Sequence, residues 1–546
     1  MEPIWYKSYP SDVPHSIDPG LYDSLPAMLD GFCDQYRDQT AFINFGTALS
    51  FQQLKQYSLR LAGYFQTELG LQPGERLAVM LPNVLQYPVT ILAALHAGLI
   101  VVNVNPLYTA RELVDELKDS GATALVVLEN FMETVNQARR TEQNLPLKHI
   151  VVTRIADLFP WYKRFFFNVA DIFKNLKTDK NFRKILLADS NLQFKSPKIQ
   201  ANDIAFIQYT GGTTGTPKGV MLTHRNLIAN ILQCMAWVKG QLITGEERLL
   251  APLPLYHVFS LIVSGFTFLA LGCQCVLITN PRKISSLVRS WRRYKPTIFV
   301  GLNTLFAHLL DHPQFRQLPF QYLKFTISGG MATQPEVAEK WYQLTGSAVT
   351  AGYGLTEASP VVTINPLESK VFNKSIGLPV PSTDVKICDD RGQELNLAGV
   401  GELYVKGPQV MQGYWRNLKE TDLVLDKDGW LKTGDLVRID SQGFIYFVER
   451  KKNVIIVSGF NVYPAEVEAV IAGHPAVAEV AVVGEEDAIT GEIVKALVVK
   501  KNPKLSAEAL MDFCTKNLTH YKIPKKIEFL DRLPKTNLGK LLHRNS

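Results

Sequence analysis

The chain has 546 residues, 20% of them charged and 46% hydrophobic, which excludes a disordered or fibrous protein and calls for two or more domains. A formal net charge of +7 is modest for this length and gives no argument for a nucleic-acid partner. Six cysteines (Cys33, Cys234, Cys273, Cys275, Cys388 and Cys514) show no CxxC spacing, which argues against a zinc site and for reduced, buried thiols in a cytosolic protein.

The N-terminal Met1 to Lys7 has no basic stretch followed by an apolar one, so it does not read as a signal peptide. Phe51 to Leu69 is expected to be a helix, with Leu54, Leu59, Leu61 and Phe65 among its apolar positions. Arg76 to Leu81 reads as a strand, Tyr87 to Gly98 as a helix and Ile100 to Val104 as a strand. Arg111 to Ser120 then reads as a helix and Ala124 to Leu128 as a strand. This β-α-β-α order predicts a parallel α/β sheet.

Ala156 to Gln200 carries nine Lys or Arg against four Asp, which is +5 of the chain's +7. Within it Tyr162, Phe166, Val169, Phe173 and Leu176 recur at spacings of four and three, one face of a helix. Trp161, Phe165 and Phe167 add aromatics. A basic, aromatic, amphipathic helix fits an element lying on an anionic membrane surface, and a helix packed on its own domain fits the same pattern.

The α/β rhythm resumes at Ile204 and runs to about Val362. Inside it, Val258 to Thr279 is uncharged and long enough to span a bilayer. Gly265 and Gly272 interrupt it and Cys273 to Ile278 reads as a strand, so a buried helix followed by a buried strand is expected rather than a membrane span. From Lys374 to Tyr446 the segments shorten between Gly and Pro turns, which suggests an antiparallel or barrel-like subdomain. The charged run Glu449-Arg450-Lys451-Lys452-Asn453 sits between two apolar strands and is taken as a boundary, with about a hundred residues beyond it for a small α+β domain.

The strongest local signal for chemistry is Tyr209-Thr210-Gly211-Gly212-Thr213-Thr214-Gly215-Thr216-Pro217-Lys218-Gly219, preceded by the strand-like Ile204 to Ile207. Glycines let backbone N–H groups approach anionic oxygens, threonines add hydroxyl donors and Lys218 adds charge, as a polyphosphate requires. It is not a Walker A loop, because Pro217 stands where that loop needs glycine before the lysine.

This run resembles the phosphate-binding loop of the adenylate-forming superfamily of acyl-CoA synthetases, luciferases and non-ribosomal adenylation domains. Further motifs follow in that superfamily's order: Gly352-Tyr353-Gly354-Leu355-Thr356-Glu357, Thr433-Gly434-Asp435, Glu449 to Lys452, and Pro534-Lys535-Thr536-Asn537-Leu538-Gly539-Lys540. The resemblance implies an α/β fold with a large N-terminal domain, 1–451, of two βαβ-type sheet subdomains and a small β-barrel-like one. A small mobile α+β domain, 452–546, would follow, turning on Lys452. It implies ATP and Mg²⁺ as cofactors and coenzyme A as co-substrate.

The resemblance also implies the roles of single residues. Tyr353 would stack on adenine beside Gly329 and Gly330, Thr356 would bond the α-phosphate, and Glu357 would hold Mg²⁺. Asp435 would accept the ribose hydroxyls, with Arg450 as a second contact. Lys540 would stabilise the charge gathered as a carboxylate meets the α-phosphate, and His257 would stand near the acyl carboxylate. Ser458, Gly459 and Phe460 would meet coenzyme A after the small domain rotates.

Val102 to Tyr108, Ile278 to Arg282, Gly301 to Phe306 and Ser458 to Pro464 are similar to bacterial long-chain fatty acid–CoA ligases. That subgroup puts Gly301 at an acyl pocket mouth, and the Leu- and Phe-rich helix after it fits an alkyl channel or ordinary core. Two residues depart from the pattern: Glu449 stands where the family usually has Asp, and Asn453 replaces a common acidic residue. The reading is thus a long-chain fatty acid–CoA ligase, cytoplasmic or peripheral on the inner face of the membrane, with a homodimer left open. The alternatives are a medium-chain or aryl acid–CoA ligase, an acyl-AMP ligase, and, from a different class, a non-catalytic membrane acyl-binding protein.

Overall fold

Ser50 starts the first long helix, Phe51–Thr67, with a reciprocal cap: its Oγ accepts the Gln53 N–H at 3.1 Å while Gln53 Oε1 accepts the Ser50 N–H at 3.0 Å. Thr109 and Glu112 start Ala110–Ser120 in the same way, and Gly121 ends it in the left-handed region. The computed structural model describes residues 3–168, 181–187, 194–210, 217–369, 371–396, 399–457, 460–487, 491–518 and 520–533. The chain divides into two compact units, Met1–Asp384 with Lys406–Leu431, and Val385–Val405 with Lys432–Ser546.

The first unit holds two large sheets. One has seven strands, in the order Gly413–Tyr414, Lys218–Thr223, Ile204–Thr210, Ile100–Asn103, Arg76–Met80, Ala124–Leu128 and His149–Thr153. Its last five strands are parallel and mostly buried, which is why they read as continuous apolar runs. Ile204–Thr210 and Lys218–Thr223, on either side of the Gly- and Thr-rich run, pair antiparallel with each other, so that run joins two strands, not a strand and a helix.

The other sheet has nine strands, in the order Leu378–Pro379, Val361–Ile364, Val349–Gly354, Phe325–Ser328, Ile298–Gly301, Arg248–Ala251, Gln274–Leu277, Thr40–Asn44 and Thr47–Ser50. Thr40–Asn44 joins it through Phe42 opposite Cys275. Its aromatic core gathers Trp291, Phe299, Phe306, Phe315 and Trp341, with the Phe306 and Trp341 rings 4.8 Å apart.

Val258 to Thr279 is a buried helical run and then a buried strand, as its sequence implies. Val258–Ser260 is α-helical, Leu261–Thr267 is a π-helix, Phe268–Ala270 is α-helical again, and Gln274–Leu277 is the strand. Among the described residues no helix is long and apolar enough to cross a membrane. The basic insert forms the helix Trp161–Asn168, on which Trp161 is 76% and Phe165 68% exposed. Val169, Phe173 and Leu176 lie outside the described residues.

The second unit holds a four-stranded sheet, Asp384–Cys388, Gly401–Lys406, Leu431–Ile439 and Ile445–Arg450, in the stretch expected to be antiparallel or barrel-like. A five-stranded sheet follows. It contains Phe460–Val462, Ile455–Val457, Gly491–Lys500, Val477–Asp487 and Lys526–Phe529, with helices Pro464–Ala472 and Ala507–Asn517.

Candidate active site

In the first unit the sequence motifs meet at strand ends. Thr210 closes its strand directly opposite Lys218, which opens the next one. Gly211 to Thr216 lie outside the described residues, and Pro217 is exposed beside Lys218. The Lys218 ammonium pairs with the Glu420 carboxylate and stands 5.2 Å from the centre of the Tyr414 ring. Tyr414 is fixed by its short strand, with its backbone opposite Val220. Its hydroxyl donates to Glu357 Oε1 at 2.8 Å. Burial, and then the Glu357 carboxylate, hold the Tyr414 phenol above its ordinary pKa, so it stays a donor. Thr356 and Glu357 occupy the 3₁₀ turn Thr356–Ala358, which the Met411 N–H ties down through the Glu357 carbonyl at 2.8 Å.

Tyr414 and Glu420 were absent from the sequence reading. Asn417 and Glu420 do carry a helix-start signature, and Asn417 Oδ1 accepts the Glu420 N–H at 3.2 Å. Nothing in that signature names Lys218 as the partner.

Behind the motif Gly352 to Glu357 lies an apolar cavity of about 70 Å³. Gly329, Gly330, Gly352, Tyr353 and Gly354 bound one side of it, and Cys234, Val238, Phe259, Val263 and Phe268 bound much of the rest. The glycines have steric reasons of their own. A Cβ on Gly354 would stand 2.0 Å from the Pro360 carbonyl oxygen, and one on Gly329 would stand 2.6 Å from the Phe259 ring. Gly330 has φ +77°.

A second, smaller apolar cavity, of about 20 Å³, lies along the same π-helix and is lined by Leu54, Ile91, Leu261, Gly265 and Phe266 among others. Leu261–Thr267 therefore contributes Val263 and Thr267 to one cavity and Leu261, Gly265 and Phe266 to the other.

His257 caps the start of Val258–Ser260, with its ring 4.6 Å from that of Tyr256. Gly301 ends the strand Ile298–Gly301, and a Cβ there would meet the Phe306 ring at 2.7 Å. The helix after it, Asn303–Asp311, packs Leu305, Phe306 and Leu309 into the aromatic core. Of the two options left open for that helix, the structure selects core.

In the second unit Asp435 and Arg450 face each other across paired strands, with Arg450 Nε 2.7 Å from Asp435 Oδ1. The Asp435 side chain is fully buried, so the guanidinium supplies the opposite charge a buried carboxylate needs. Lys451 pairs with Glu402 at 2.9 Å and Asp390 at 3.1 Å, and Lys452 is exposed in the turn Lys451–Asn453.

The two departures in this run touch each other. Glu449 Oε1 accepts from Asn453 Nδ2 at 3.2 Å and from the Arg450 N–H at 2.8 Å. Glu449 Oε2 accepts from the Ala465 N–H, in the first turn of Pro464–Ala472, at 3.1 Å. Phe460 opens the strand Phe460–Val462, while Ser458, Gly459 and Lys540 lie outside the described residues.

The chain matches the family model described as AMP-binding enzyme over residues 29–415 and the AMP-binding enzyme C-terminal domain over residues 466–540. It is similar to a long-chain-fatty-acid–CoA ligase of Yersinia pestis, 47% identical over 100% of this chain and 97% of that protein. One from Bacillus subtilis strain 168 is 39% identical over 99% of this chain and 97% of that protein. Among solved structures, ATP-bound MatB from Rhodopseudomonas palustris is similar at 27% identity and a TM-score of 0.82, over 94% of this chain and 97% of that one. The o-succinylbenzoate CoA synthetase MenE from Bacillus subtilis, in complex with the acyl-adenylate intermediate OSB-AMP, is similar at 28% identity and a TM-score of 0.80, over 96% and 98%.

Proposed function

The chain belongs to the AMP-binding enzyme family, a family of ATP-dependent adenylate-forming enzymes, and from that premise we propose that it is a long-chain fatty acid–CoA ligase. In the first step a fatty carboxylate oxygen attacks the α-phosphorus of ATP, and the bond to the β-phosphate breaks to release pyrophosphate. In the second, the thiol sulfur of coenzyme A attacks the acyl carbon, AMP leaves, and the thiol proton goes to solvent.

The observation that carries the acyl half is the apolar cavity of about 70 Å³ against Gly329, Gly330 and Tyr353. It is lined mainly by apolar side chains, as an alkyl chain requires. An alkyl chain there would have its carboxylate end toward the adenine motif. His257, two residues before Phe259 of the cavity wall, serves that carboxylate end, and Gly301, at the end of its strand, serves the mouth of the acyl pocket.

Glu357 fits a magnesium ligand. It is a hard carboxylate oriented by the Tyr414 hydroxyl. Bound there with the triphosphate, magnesium would offset phosphate charge. Lys218 and Thr210 serve the polyphosphate, Tyr353 the adenine, Thr356 the α-phosphate, and Asp435 with Arg450 the ribose. Lys540 serves the first step, and Ser458 to Phe460 serve coenzyme A after a turn at Lys452, between the domains 1–451 and 452–546. The exposed Trp161 and Phe165 on the basic insert support peripheral binding to anionic membrane.

The test is pyrophosphate release with palmitate, octanoate and benzoate, each with and without coenzyme A. Palmitate should give the fastest release, with AMP as the other product. ADP and phosphate as products would end the adenylate reading, and a preference for benzoate would replace the substrate. In the same assay Lys540→Ala should lose the first step by on the order of 10²-fold. It should still convert ready-made acyl-AMP, and equal loss of both steps would remove the role given to Lys540. Co-sedimentation with anionic vesicles tests the insert: binding that survives its deletion would sink the membrane reading.

A further inference from the structure

Lys218 is the charged residue at the foot of the polyphosphate loop, and in this structure its charge is already taken. Its ammonium is paired with Glu420, and the two side chains are only 18% and 29% exposed. Shielded to that degree, the pair keeps attraction that solvent and salt would otherwise screen. Glu420 is held in turn: it lies in the first turn of Leu418–Val424, whose start is fixed by Asn417, and a carboxylate is favoured there by the unpaired N–H groups of the helix end. The Tyr414 ring flanks the ammonium, and its hydroxyl is committed to Glu357. Lys218 thus sits between a carboxylate that neutralises it and a ring whose other end is tied to the second charged residue of the site.

A polyphosphate reaching Lys218 meets this carboxylate. If it takes the ammonium, the ion pair is broken. If both anions share the three N–H donors, a carboxylate lies against a phosphate. In either case the Glu420 charge opposes binding, and it does so only for ligands with phosphates beyond the first. We propose that Glu420 is an internal stand-in for phosphate, which occupies Lys218 until ATP or pyrophosphate displaces it and so sets the affinity for these two ligands without touching that for AMP. The inference rests on the reading of Lys218 as a polyphosphate residue. It gives Glu420 a part at the end of the first step as well: as pyrophosphate leaves, the carboxylate returns to the ammonium and disfavours rebinding.

The experiment is calorimetric titration of the full chain, wild type and Glu420→Gln, with ATP, pyrophosphate and AMP as separate titrants in magnesium buffer. Gln keeps the shape and removes the charge. ATP and pyrophosphate should bind about tenfold more tightly to the variant while AMP changes by less than about twofold, the difference being that of one charge-assisted hydrogen bond. Glu420→Ala, which has no amide to replace the carboxylate, should give the same pattern, and a thermal melt of each variant checks folding. Unchanged or weaker ATP binding would overturn the proposal and make Glu420 a positioning partner of Lys218. Equal tightening of AMP would overturn it as a general charge effect. A wild type that binds none of the three ligands would overturn the reading of Lys218, and the proposal with it.

Discussion

The helix Asn303–Asp311 presses Leu305, Phe306 and Leu309 into a filled core against Phe299 and Trp341, whereas the helical run 258–270 turns apolar side chains toward unfilled space on two faces. Both segments bury apolar side chains, and both follow a β-strand of the nine-stranded sheet. The difference lies in what stands opposite. Asn303–Asp311 packs Leu305, Phe306 and Leu309 into one cluster with the rings of Trp291, Phe315 and Trp341. The run 258–270 faces the ends of Phe325–Ser328 and Val349–Gly354, where Gly330 and Tyr353 border a cavity of about 70 Å³.

Substitutions on the two segments should therefore fail in different ways. Phe306→Ala should have the largest effect, a loss of about 3–5 kcal/mol in denaturant unfolding, because a buried ring is removed from a packed cluster. The ranking of acid substrates should stay as it was. A changed ranking would make Asn303–Asp311 part of the acyl site after all.

Val263→Phe should do the reverse by filling the cavity. Each methylene it shuts out is worth about 0.8 kcal/mol, so the palmitate-to-octanoate ratio of kcat/KM should fall by about tenfold or more for two methylenes lost. The unfolding midpoint should move little. An unchanged ratio would mean that the chain does not enter this cavity. Gly265→Ala is the smaller companion on the other face of the π-helix. The nearest atom to an added Cβ there is 3.6 Å away, so the variant should be neutral or up to about 1 kcal/mol more stable, with the substrate ranking unchanged.

Local order was well legible in the sequence. Arg76–Met80, Ile100–Asn103, Ala110–Ser120 and Ala124–Leu128 lie within a residue or so of their expected spans, because buried strands and capped helices declare themselves by pattern. Asp435 and Arg450, expected to serve the same ribose, also stand together, since neighbouring antiparallel strands bring them opposite. Partners across long stretches of chain were not legible. Thr40–Asn44 pairs with Gln274–Leu277, and Lys218 pairs with a residue 202 positions away, through contacts that no local period encodes. The use of Asn303–Asp311 as core was equally hidden, because apolar periodicity gives a buried face without saying whether the space beyond it is filled.

The bonds made by Glu449 have a consequence in polymer terms. The carboxylate joins the end of the strand Ile445–Arg450 to the N–H of Ala465, 16 residues on, and grips Asn453 between them. It closes a loop that contains Lys452 and residues 458–460, much as a covalent cross-link would. The length-dependent part of the closure entropy for such a loop, (3/2)RT ln n, is about 2.5 kcal/mol. With both ends fixed, the contour available to the segment is set at its boundaries. Inside that loop the strands Ile455–Val457 and Phe460–Val462 pair with each other, so the carboxylate of Glu449 is an outer tie laid over an inner one.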